Sequence, residues 1–143
     1  MPIRNTLQMP GIAGERRLFK DGEFSPGGGQ RIWGTKILGR DAIEFFTGWA
    51  PPLQAAVDLS GQYPDRPVRI FWRADGIFNM YVFKGGEPEM FTEFDPGPEE
   101  RMEDFEEVAD KAEAAVQDGT VTPGSVTVII SSSGNARMRI ISA

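Results

Sequence analysis

The stretch Val68-Arg69-Ile70-Phe71-Trp72-Arg73-Ala74-Asp75-Gly76-Ile77-Phe78-Asn79-Met80-Tyr81-Val82-Phe83 decides the fold. It is rich in β-branched and aromatic residues, and Asp75-Gly76 is a two-residue loop of the kind that accepts positive φ at both positions. Placing that dipeptide at the tip pairs Ala74 with Ile77, Trp72 with Asn79, Ile70 with Tyr81 and Val68 with Phe83 on one face. The opposite face carries Arg73 beside Phe78, Phe71 beside Met80 and Arg69 beside Val82. A half-buried hairpin shows one apolar and one polar face, whereas here both are largely apolar. The expected setting is therefore a central hairpin covered on both sides, either within the chain or with the help of a partner.

Two further hairpins flank it. Asp21-Gly22 supports a turn between a strand from Arg16 to Phe19 and a return toward Phe24, and Ser133-Gly134-Asn135 supports a turn between residues 126–131 and 136–141. A Gly-rich loop over residues 25–29 leads to a strand over residues 30–38, weakened by Gly34. Asp41 and Glu44 have the spacing of a capping box, which predicts a short helix over residues 42–47. Pro51-Pro52 interrupts it and suits the first turn of a second piece, in which Leu53, Ala56 and Val57 share a face and Gly61 is the terminator. After Gly85-Gly86 a Pro-rich link runs to residue 98. Met102, Phe105, Val108, Ala109, Ala112 and Val116 then recur at spacings of three and four, the period of an amphipathic helix.

These segments define an α+β class: an antiparallel sheet of three hairpins, about six strands, with two helical segments packed on it in the order ββ-α-ββ-α-ββ. The two Asp-Gly turns lie 54 residues apart, which fits a tandem ββα unit, although side chains do not align between the halves. Residues 1–15, with Pro2, Pro10, Gly11 and Gly14, read as an extended N-terminal arm, and residues 16–143 as a single domain. No apolar run is long enough to span a bilayer and no signal peptide is visible, so the expected compartment is the cytoplasm, or a virion for a phage-encoded chain.

Charge is strongly segregated. Residues 93–118 hold eleven Asp and Glu against Arg101 and Lys111, a balance of −9, while the remaining residues net +3 and the whole chain −6. The sequence has no His and no Cys. That removes the commonest general base, the thiol nucleophile and the soft metal-ligand sets, and with them most familiar hydrolase and metalloprotein designs.

The motifs that remain carry little chemistry. Residues 29–36 read Gly-Gln-Arg-Ile-Trp-Gly-Thr-Lys, but a phosphate-binding loop needs Lys before Thr and a helix after it, and here the order is Thr35-Lys36 within a strand pattern. Asp95, Glu99 and Glu103 lack calcium-loop spacing, and Ser131-Ser132-Ser133 has no His to activate it. The expectation is a non-enzymatic chain with no cofactor and no metal.

An acidic helix has three physical readings: a solvated face, an element packed on the cationic strands of its own sheet, or a recognition surface for a basic macromolecule. The reading taken forward is the last, with Glu99, Glu103, Glu106, Glu107, Asp110 and Glu113 as the charged rim and a basic protein as partner, as in a small inhibitor of the immunity or antitoxin type or a phage-encoded regulator. An alternative is a subunit of a homo-oligomer or virion joined through the N-terminal arm and strand edges. A third reading places single-stranded nucleic acid on Trp33, Arg69, Phe71 and Arg73, where rings stack bases and cations track phosphates, against the acidic overall charge.

Overall fold

The computed structural model describes residues 2–27, 29–74, 77–95, 110, 128–130 and 137–141. The strands are β1 (Ile3–Gln8), β2 (Phe19–Lys20), β3 (Glu23–Phe24), β4 (Trp33–Ile37), β5 (Ala42–Thr47), β6 (Val68–Ala74), β7 (Ile77–Lys84), β8 (Glu87–Asp95), β9 (Val128–Ile130) and β10 (Arg137–Ile141). One α-helix of several turns, α1 (Leu53–Gln62), stands among the described residues. The large sheet has the order β4-β5-β1-β6-β7-β8-β10-β9, with its strands paired antiparallel throughout the described residues, and β2-β3 form a separate small hairpin. The class is α+β, built on an antiparallel sheet.

The β6–β7 hairpin has the register that its side-chain pattern predicts, from Ala74↔Ile77 through Val68↔Phe83. Both of its faces are covered. Val68, Ile70, Trp72 and Phe83 are buried on one side, and Phe71, Met80 and Val82 on the other. The first side is the main core, in which Leu7, Ile43 and Phe45 join Ala56 and Leu59 of α1 and Met9, Ile12, Leu18 and Phe24 from the segments that follow β1.

The N-terminal segment is not an arm. Ile3–Gln8 is a strand inside the sheet, paired with β5 on one side and β6 on the other. Ile3, Asn5 and Leu7 face the core, and the polar member of that series interrupts the apolar alternation. Asn5 is fully buried, and its Nδ2 donates to the Ile3 carbonyl at 3.2 Å and to Thr47 Oγ1 at 3.0 Å. Backbone pairing on both edges, together with these side-chain bonds, makes an internal strand of a stretch with little hydrophobic patterning.

Residues 42–47, expected to be helical, form β5. Asp41 does cap an amide, but a remote one: its Oδ1 accepts from Gly11 N–H at 2.7 Å. Ile43, Phe45 and Thr47 alternate as buried residues with Ala42, Glu44 and Phe46, and a β-branched and aromatic run with strands on both sides outweighs a four-residue capping pattern. The Pro-rich link also proves to be a strand at residues 87–95. Pro88 lies opposite Phe83, where the β7–β8 register shifts, so its missing amide falls at an irregularity in the ladder.

Helix α1 starts after Pro51-Pro52, as expected, and runs through Gly61 to Gln62. Gly61 is therefore no terminator. It lies against Gly86 in the β7–β8 turn, whose Cα an added Cβ at residue 61 would meet at an ordinary contact distance of 3.7 Å. Ser60 Oγ accepts from Gly86 N–H at 3.0 Å and donates to the Val57 carbonyl at 2.7 Å, tying helix to turn. The β2–β3 turn has positive φ at Asp21 and Gly22, as its sequence predicts. β9 and β10 pair antiparallel where the last hairpin is expected, while its turn lies outside the described residues. The two Asp-Gly hairpins sit in different sheets and do not form a repeated unit.

Candidate interaction surfaces

Among the described residues, the acidic rim and the Arg/aromatic face, read from the sequence as separate sites, meet at an ion pair. Arg69 lies on the β6 face opposite the main core, with its side chain 18% exposed, and its Nη1 donates to Asp110 Oδ1 at 2.6 Å and to Gln8 Oε1 at 3.5 Å. Asp110 is helical, and its side chain remains 67% exposed. Glu99, Glu103, Glu106, Glu107 and Glu113 lie outside the described residues.

The four residues assigned to nucleic acid do not form one surface. Phe71 is fully buried and offers no ring face to a base, and Arg69 is engaged by Asp110. Arg73 is exposed on the same strand. Trp33 sits in β4, separated from β6 by β5 and β1, which is about 14 Å at ordinary strand spacing.

Trp33 instead belongs to a ladder at the β4–β5–β1 end of that face. It pairs with Phe46 across the strands, and the two rings stack with centroids 6.2 Å apart. The Arg31 guanidinium carbon lies 5.1 Å from the Trp33 ring centroid, and that of Arg4 lies 5.7 Å from the Phe46 centroid. Two cations thus flank a stacked aromatic pair, an arrangement that restrains long side chains by cation–π attraction. Gly34 makes the stack possible: φ is +67°, and a Cβ there would come within 2.8 Å of Phe46 Cδ2. Arg4 has only a long ion pair, 3.9 Å to Glu44 Oε1, and none involving Arg31 occurs among the described residues. Trp49, 87% exposed, lies three residues beyond Phe46, at the same end of β5. The ladder escapes a sequence reading that makes residues 42–47 helical, because Phe46 then has no strand partner.

Among the described residues, two titratable groups with displaced pKa serve the scaffold. Glu15 is held below the ordinary glutamate value chiefly by its hydrogen bond from Arg66, Nη1 to Oε1 at 2.8 Å, with Tyr63 Oη donating at 3.3 Å. Glu23 is lowered chiefly by Thr35, which donates to Oε2 from Oγ1 at 2.6 Å and from its amide at 3.0 Å. Thr35 Oγ1 in turn accepts from Phe24 N–H at 2.9 Å, fastening the small hairpin to β4.

A cavity of about 340 Å³ is lined by Gln8, Met9, Pro10, Asp41, Ala42, Pro67 and Arg69, but its two charged members are committed to Gly11 and Asp110. Among the described residues no cluster of acidic, His or Cys side chains is arranged to hold a metal ion, and no helix is long and apolar enough to cross a membrane. No known protein family, curated protein or solved structure matches the chain.

Proposed function

We propose that the protein is a non-catalytic binding module whose acidic segment, residues 93–118, docks on a basic macromolecular surface, in the manner of a small inhibitor or regulator. The observation that carries this reading is the ratio of charges. The segment holds eleven carboxylates and two cations, and among the described residues one carboxylate, Asp110, is taken by Arg69 of the chain's own sheet. Asp110 stays largely exposed even so, and the chain as a whole remains at −6. An excess of one sign on this scale steers a partner of the opposite sign and makes association fast and sensitive to salt.

The other readings have less support. Assembly through an N-terminal arm loses its arm, because Ile3–Gln8 is paired along both edges. Base stacking on the β6 face loses its ring, because Phe71 is buried. The test is affinity capture of basic proteins by the wild-type chain and by the triple variant E99K/E103K/E106K, which spares the Asp110–Arg69 pair, with circular dichroism as the folding control. Capture by the wild type and its loss in the folded variant is the expected result. Equal capture by both proteins overturns the reading.

A further inference from the structure

We propose that the Arg31–Trp33–Phe46–Arg4 ladder is a docking surface for the acidic segment of a second copy of the chain. This rests on the reading of residues 93–118 as a recognition surface and names one partner for it.

The ladder has the composition of an interface centre. Arg and Trp dominate binding energetics because they combine large contact area with directed donors, and the ladder joins Arg4, Arg31 and Trp33, with an 87% exposed Trp49 two residues past the end of β5. Packing over a ring removes part of the rotamer freedom of each guanidinium before any ligand arrives, so less is lost when a carboxylate binds. Within its own chain Arg4 meets a carboxylate only at 3.9 Å, and among the described residues Arg31 meets none within ion-pair distance. Lys36 lies on the same face, aligned with Glu44, so the patch carries three cations against one acid.

Charge complementarity selects the occupant. Every copy of the chain carries a −9 segment, and a second copy therefore supplies many carboxylates to this cationic patch. Beyond β8, the described contact of the segment with its own sheet is Asp110 with Arg69, beside Gln8 at the far end of β1 from Arg4, about 13 Å away along the strand. A phosphate backbone offers the same fork-shaped acceptors, so an oligonucleotide is one arm of the test.

The test is light scattering coupled to size-exclusion chromatography at about 50 mM and about 500 mM salt, a range over which surface charge is progressively screened. The expected result is a salt-sensitive oligomer of the wild type, at least tenfold weaker in R4E/R31E and in E99K/E103K/E106K. Mixing the two variants should restore association, since each supplies the surface that the other lacks. R31E alone lies outside every strand and is the variant to use if the double change disturbs β1. A wild type that is monomeric at both salts, or an oligomer indifferent to R4E/R31E, overturns the proposal. So does R4- and R31-dependent binding of a fluorescein-labelled oligothymidylate, which would make nucleic acid the occupant. A wild type that captures a basic partner but does not self-associate would sink this inference and leave the proposed function standing.

Discussion

Arg69 Nη1 and Asp110 Oδ1 stand 2.6 Å apart, so a carboxylate that the sequence assigns to an outward recognition rim is bonded to a strand of its own sheet. The pair is asymmetric: the arginine side chain is 18% exposed and the aspartate 67%.

That asymmetry sets the first prediction. Coupling between Arg69→Gln and Asp110→Asn in a double-mutant cycle should be about 0.5–1 kcal/mol, the scale of a pair with one solvated partner. Arg69→Gln alone should cost more than Asp110→Asn, because Arg69 also bonds Gln8 and is the more buried partner. Urea unfolding at low and high salt measures both quantities, and a coupling of zero would mean that the contact contributes nothing in solution.

The second prediction concerns β1. Leu7 is fully buried between β5 and β6, so Leu7→Ala should destabilise the fold by about 2–5 kcal/mol. Deleting residues 1–8 should abolish cooperative thermal unfolding, because it exposes the pairing edges of two strands at once. A truncated protein that melts cooperatively near the wild-type temperature would contradict the placement of this strand.

These two cases show what the sequence discloses and what it conceals. The β6–β7 register is legible because Asp75-Gly76 fixes the turn and the period-two pattern runs without interruption on both faces. β1 is concealed because Asn5 occupies an inward position and the strand's partners lie about 40 residues and more away in sequence. β5 is misread because a local capping pattern, Asp41 with Glu44, competes with an alternation whose value depends on neighbours that the local sequence does not show. The site follows the same logic. Trp33 is identifiable as a large residue near cations, but its stacking partner Phe46 becomes visible only when β5 is a strand.

Gly34 supplies the third prediction. Its φ of +67° and the 2.8 Å approach of an added Cβ to the Phe46 ring mean that Gly34→Ala suffers both backbone strain and a clash. The expected loss is about 1–3 kcal/mol of stability. The Trp33–Phe46 stack must shift to relieve the contact, so tryptophan fluorescence should change with it. An alanine variant of unchanged stability and emission would show that this stack is not the one populated in solution.

The fourth prediction is the acid limb of stability. Glu15 and Glu23 both have folded pKa values below the ordinary glutamate value, the first through Arg66 and the second through Thr35. Below that ordinary value the unfolded chain binds protons that the folded chain refuses, so each group's contribution is complete above the glutamate range and is lost as pH falls through the folded pKa. With no His and no Cys in the chain, the usual titrating side chains between pH 6 and about 8 are missing, so stability should be nearly flat there. It should fall steeply below about pH 4.5, where glutamates protonate. Glu15→Gln and Glu23→Gln should each lower the melting temperature at neutral pH and each make its acid decline shallower. Thermal melts of the three proteins between neutral and acid pH measure this. If both variants kept the full wild-type slope, the bonds to Arg66 and Thr35 would not be the groups that set the acid limb.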